Sequence, residues 1–202
     1  MTHDPQASTQ GGGASPPSPW VEGTTPYPWP FDGRLEPGRL ALLVVGTREP
    51  VPQLAVEEST LTAIQALRAA AARFGAGVVD VTTGDPSGRV AAPVSPEPAA
   101  SPEPAAGFAS PGWDGFFDTG LDAHLRRLGI THLLLTGSPL ETAVHSTMRS
   151  ANDRGYECLL VVDATAALDP KMLPQTLSMI EMSGGIFGAN GLTAAVLARL
   201  AA

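Results

Sequence analysis

A chain of 202 residues is long enough for one domain with a full hydrophobic core. Apolar residues at 43% and charged residues at 16% describe a soluble globular protein that carries some low-complexity sequence. The net charge of -8, with only 12 Lys and Arg and no basic stripe, excludes nucleic acid and anionic membrane surfaces as main partners.

Residues 1–24 are rich in Gly, Ser, Pro, Thr and Gln and offer little to bury, so they are expected to form a disordered tail before a single domain over 25–202. They lack the charged and apolar regions of a secretion signal. Cys158 is the single cysteine and cannot form an internal disulfide, which makes a reducing cytoplasm the expected compartment. No apolar run approaches the roughly 18 residues of a membrane-spanning helix, so no membrane partner is expected.

LALLVV (40–45) is a short apolar run of the kind that becomes a buried parallel strand. STLTAIQALRAAAARFG follows, with Leu61, Ile64, Leu67 and Phe74 at helical spacing and Gly75 as its stop. GVVDV (77–81) reads as a second strand. The segment from 85 to about 107 contains SPEPAA at 95–100 and again at 101–106; repeated Pro blocks helix and ladder alike, so it reads as a surface loop insertion. DTGLDAHLRRLG places Leu121, Leu125 and Leu128 on one helical stripe. HLLLT (132–136) is a third strand, a helix is predicted over 142–154 up to Gly155, and ECLLVV (157–162) is a fourth strand. An Asp169–Pro170 helix start, a GGIFG turn or short strand and a last helix over 192–200 complete the chain.

Alternating strands and helices with short connections predict an α/β fold, with a mostly parallel sheet covered on both faces. Such sheets bind ligands beyond the carboxyl ends of their strands. The ends of interest are Val45-Gly46-Thr47-Arg48, Val81-Thr82-Thr83 and the stretch from Thr136 to Ala143.

Generic motifs are absent: there is no G-x-G-x-x-G after a strand, no Walker A sequence, no H-E-x-x-H and no G-x-S-x-G. His3, His124, His132 and His145 lack close metal-ligand spacing, so neither a metal nor another cofactor is expected. His145 suits a polar first-turn role. Cys158 lies within an apolar strand, where a thiol behaves as a small buried hydrophobe.

GITHLLLTG, AVHSTMRSANDRGYECLLVVDATAALDP and SGGIFGA together resemble the isochorismatase-like cysteine hydrolase superfamily, most closely its biuret and ureidoacrylate amidohydrolases. PYPWPFDGRLEPGRLALLVV and PGWDGFFDTGLDAHLRRLG extend the resemblance from residue 26 to the C-terminus, apart from the Pro/Ala insertion. The resemblance implies a three-layer α/β/α fold of Rossmann-like topology that hydrolyses a carbon–nitrogen or enol-ether bond. It also implies a cysteine nucleophile, an aspartate base at the end of the first strand and a lysine that tunes both. A thiol needs a base to become a thiolate and a cation to hold it, and the tetrahedral oxyanion needs N–H donors.

Carried over position by position, the aspartate falls on Gly46, the lysine on Ser110 and the cysteine on Ala143. The family's cis peptide falls at Ser138–Pro139, where Pro139 has no N–H to offer an oxyanion. Ser110, Thr142 and Ser146 are hydroxyls without a base in the family's position. The resulting expectation is a scaffold without its reaction centre: a non-catalytic subunit, in a homo-oligomer or paired with an active relative, or a binder of a small anion. Arg48, Trp113, Glu141 and Thr142 are the candidate ligand-binding residues. The alternative is an amidohydrolase acting by a non-standard mechanism.

Overall fold

The protein is described by a computed structural model covering residues 18–47, 51, 54–84 and 106–202. The repeat-bearing part of the insertion, 85–105, lies outside these residues, as do 1–17 and Arg48.

Six strands form one sheet in the order β3-β2-β1-β4-β5-β6, and every pairing is parallel. β1 (Leu40–Thr47), β2 (Gly77–Thr83), β4 (His132–Gly137) and β5 (Glu157–Thr165) are the predicted apolar runs, each extended by one to three residues. At the two edges stand β3 (Ala106–Ala109) and β6 (Ala189–Gly191). An edge strand pairs on one side only, so these two short segments carry too little apolar sequence to announce themselves. β3 begins inside the segment expected to be loop.

Side chains alternate across β1 and build two cores. Ala41, Leu43 and Val45 face α2 (Leu121–Arg127), α3 (His145–Asp153) and α4 (Leu173–Met182), where Leu125, Met148 and Ile180 are buried. Leu40 and Leu42 face α1 (Glu58–Phe74) and α5 (Thr193–Leu200), where Leu67 and Val196 are buried. Helices on both faces of the sheet give the three-layer α/β arrangement. α1 ends at Gly75, whose φ of 82° lets its N–H reach back to Ala71 O and Ala72 O.

Residues 18–24, expected in the disordered tail, are packed instead. Val21 is 1% exposed and pairs with Trp29 in an antiparallel bridge, while Thr25 bridges Asn190 of β6. The buried Val21 and Trp29 side chains supply the apolar contact that the composition of this segment hides. Among the described residues, no helix is long and apolar enough to cross a membrane.

Candidate functional site

The chain turns back at β1, which has β2 on one side and β4 on the other. In a sheet of this order a crevice opens at the carboxyl ends of the two strands that flank the reversal. Gly46 and Gly137 stand at those ends, with Val45 in register with Gly137 and Gly46 with Thr82.

Gly137 is required there. Its φ is 114°, and a Cβ would lie 1.8 Å from Val45 O. The close approach brings Ser138 N–H to Val45 O at 2.9 Å, and the Ser138–Pro139 bond that follows is cis. On the other side Ala166 N–H donates to Gly137 O at 3.0 Å, and Leu140 N–H donates to Ala166 O at 2.8 Å. These bonds clamp the turn between β1 and the end of β5.

The helix after the turn does not begin as an α-helix. Leu140–Val144 is a π-turn whose first internal bond runs from Val144 N–H to Pro139 O at 3.1 Å, and only then does α3 start. The N–H groups of Glu141, Thr142 and Ala143 precede that bond and belong to the first turn, whose donors have no partner within the helix itself. A helix start of this kind presents donors to an anion or a developing oxyanion.

The three positions to which the resemblance assigns catalytic groups are all described. Ala143 is 0% exposed, its methyl packed in the core beside Leu140 and Val144. Gly46 is the opposite case: a Cβ built on it meets no heavy atom within 4 Å. Ser110 is 4% exposed and its hydroxyl is occupied, with Gly112 N–H donating to Oγ at 3.1 Å and Oγ lying 2.7 Å from Asp114 O and 3.0 Å from Phe117 O. Its single proton is committed to carbonyls, so the group organises the 110–117 loop.

Of the candidate ligand-binding residues, Arg48 lies outside the described residues. Trp113 packs against the core of the α2–α4 face. Glu141 is engaged: Oε2 accepts Leu168 N–H at 2.7 Å and Oε1 accepts Asp169 N–H at 3.0 Å. Thr142 differs, for its Oγ1 is buried with no hydrogen-bond partner. His145 Nε2 and Arg149 Nε are likewise buried and unpartnered, at spacings that put all three residues on one helix face. Burial first, and the charge of Arg149 second, hold His145 below its ordinary pKa, which favours the neutral imidazole. The Arg149 guanidinium lies 3.5 Å above the Phe187 ring.

Beside Gly46 lies a cavity of about 270 Å³, walled by Val45, Val81, Leu61 and Ile64, with Thr60, Thr82 and Ser138 supplying polar atoms. Asp80 also lines it and is paired with Arg68. Neither Ser110 nor Ala143 reaches this space. The α1 wall was not visible as a site in the sequence, because its residues are the ordinary apolar stripe of an amphipathic helix.

Cys158 sits near the amino end of β5, the wrong end of the sheet for this crevice. It is fully buried, and desolvation, followed by the charge of Glu157, pushes its thiol far up. No thiolate is available from it.

Comparison with known proteins places these features. A family profile described as "Isochorismatase domain" matches residues 48–190, more than half of the chain. An isochorismatase family protein of Bacillus subtilis, YwoC, is 37% identical over 68 residues, 34% of this chain and 36% of the relative. Ureidoacrylate amidohydrolase RutB of Methylobacterium radiotolerans is 38% identical over 63 residues, 31% of this chain and 24% of that protein. The match thus spans only about a third or less of these relatives' length. In structure, a cysteine hydrolase from Pseudomonas syringae superposes with a TM-score of 0.65 at 23% identity, over 83% of this chain and 94% of that one. An isochorismatase family protein from Burkholderia thailandensis gives a TM-score of 0.62 at 26% identity, over 83% and 98%.

Proposed function

This chain belongs to the isochorismatase family, and from that premise we propose that it is a catalytically silent member, acting as a small-molecule binder or as a non-catalytic subunit. The observation that carries the reading is the side chain near the end of the π-turn, a fully buried methyl on Ala143 where the family resemblance puts the nucleophile. Two further features support it. Gly46 leaves open space where a general base would stand, and the Ser110 hydroxyl is bound within its own loop.

The magnitudes agree. Loss of the nucleophile from a hydrolase triad costs about 10⁶ in turnover, and loss of one oxyanion donor, as at Pro139, about 10²–10³ more. For the binding role, the cavity beside Gly46 offers the space for a small molecule, and Arg48, which follows the end of β1 directly in sequence, is the group proposed to attract a small anion to it. For the subunit role, Met172 just before α4, Met179 and Met182 on α4 and Ile186 in the loop after it are exposed, an apolar strip suited to a second copy or an active relative.

The active alternative draws on relatives named as ureidoacrylate amidohydrolases. The variant Gly46→Asp/Ser110→Lys/Ala143→Cys tests the reading. Gain of hydrolysis of ureido or amide substrates by the triple variant, from an inactive parent, is the expected result. A parent already as active as the variant overturns it.

A further inference from the structure

At the opposite end of the sheet from the crevice, three side chains from distant parts of the chain converge. His132 and Glu157 are register partners at the amino ends of β4 and β5. Asp32, on the loop that follows Trp29, brings a carboxylate to them, so that one ligand atom from each lies within 4.8 Å of the others. We infer that Asp32, His132 and Glu157 form a binding site for a divalent transition-metal cation of the zinc type.

His132 carries the argument. It is 6% exposed, and its ring meets the edge of the buried Trp29 indole at 5.8 Å between centroids. Nδ1 is tied to Thr131 Oγ1 at 2.8 Å, which sets the ring and leaves Nε2 pointing toward the carboxylates. Nε2 is buried without a hydrogen-bond partner, although Glu157 Oε2 is only 3.2 Å away. At that distance an aligned N–H would make a good hydrogen bond. The pair is within ion-pair distance yet makes no hydrogen bond, an arrangement that suits two ligands of one ion.

The separation fits as well. With Zn–N and Zn–O near 2.0–2.1 Å, two ligands of a tetrahedral ion stand about 3.3 Å apart. The His132–Glu157 pair already has that spacing. Asp32 is exposed, and its carboxylate lies within 4.8 Å of the other two ligand atoms. Each ligand is also held from behind, a feature of metal sites. Thr131 holds His132, Phe31 N–H donates to Glu157 Oε1, and Arg34 N–H donates to Asp32 Oδ1 at 2.9 Å. One imidazole and two carboxylates suit zinc, cobalt or manganese rather than a soft ion. A filled site would staple the 18–36 segment to the sheet, because its ligands come from that segment and from two adjacent strands.

A proton on Nε2 is the competing occupant, and titration of the metal-stripped full-length chain with zinc chloride separates the two. Calorimetry is expected to give one zinc per chain and a zinc-dependent rise in Tm. Asp32→Asn, at an exposed position that does not threaten folding, and Glu157→Gln should each weaken binding at least about ten-fold. Cobalt titration of the parent should give the visible bands of a low-coordinate site, which both variants lose. Absence of saturable binding overturns the assignment. So does binding equal to the parent's in both variants, which would put the metal on other histidines.

Discussion

Adding one methyl group at Gly137 and one at Gly46 tests the architecture of the crevice, because the two glycines end neighbouring strands and the chemical change is identical. At Gly137 the new Cβ would lie 1.8 Å from Val45 O and 2.8 Å from Val45 C. A carbon–oxygen contact normally stands at about 3.3 Å, so β1 and the turn must separate by roughly 1.5 Å. That breaks the Ser138 N–H to Val45 O bond, worth about 1 kcal/mol net. It also puts a side chain at φ 114°, a strained region that costs about 1–3 kcal/mol. The sum, about 2–4 kcal/mol, corresponds to a fall in Tm of roughly 5–15 °C for a domain of this size. At Gly46 the same methyl meets nothing within 4 Å. Gly→Ala there lowers the entropy of the unfolded chain, so the result should lie between neutral and about 1 kcal/mol stabilising. Thermal unfolding followed by circular dichroism measures both. Equal falls in Tm, or an unaffected Gly137→Ala, would show that the close approach at the turn is not as described.

Trp29→Ala should cost about 3–5 kcal/mol by emptying a fully buried site; urea unfolding with no change in midpoint would mean that the 18–36 segment is not part of the core. His145 has a folded-state pKa below its ordinary value of about 6.5, so its stabilising contribution is complete above that pH and is lost as pH falls toward the folded value. His145→Gln should therefore flatten the acid limb of stability against pH, and an unchanged limb would contradict the burial of the ring. Cys158 should react with a thiol reagent only as fast as the protein opens, given its burial and raised pKa; rapid stoichiometric labelling of the native protein would contradict that placement.

Much of this molecule is legible in its sequence for simple physical reasons. β1, β2, β4 and β5 are central strands covered on both faces, so they are continuous apolar runs, and α1 announces itself through Ile64, Leu67 and its Gly75 stop. β3 and β6 are edge strands of four and three residues, below the length at which periodicity speaks. The sequence predicts a plain helix over 142–154, whereas the chain forms a π-turn at Leu140–Val144 before α3, because a bond from Val144 N–H to Pro139 O leaves no trace in local composition. The tail was expected to run to residue 24. Its buried Val21 is one apolar residue among polar neighbours, and only the sheet beneath gives it a partner. The turn at Gly137 was legible from THLLLTGSP, whereas the cavity wall on α1 and the Asp32–His132–Glu157 cluster were not. Their members are far apart in sequence and each alone is unremarkable chemistry.

Release of ammonia from ureidoacrylate-like, biuret and simple amide substrates by the purified full-length chain tests the central claim most directly. Catalytic silence predicts a rate indistinguishable from buffer at every substrate concentration. Turnover that disappears in Ser110→Ala or Ser146→Ala would contradict it, and would mean that a hydroxyl near the turn had taken over the attack.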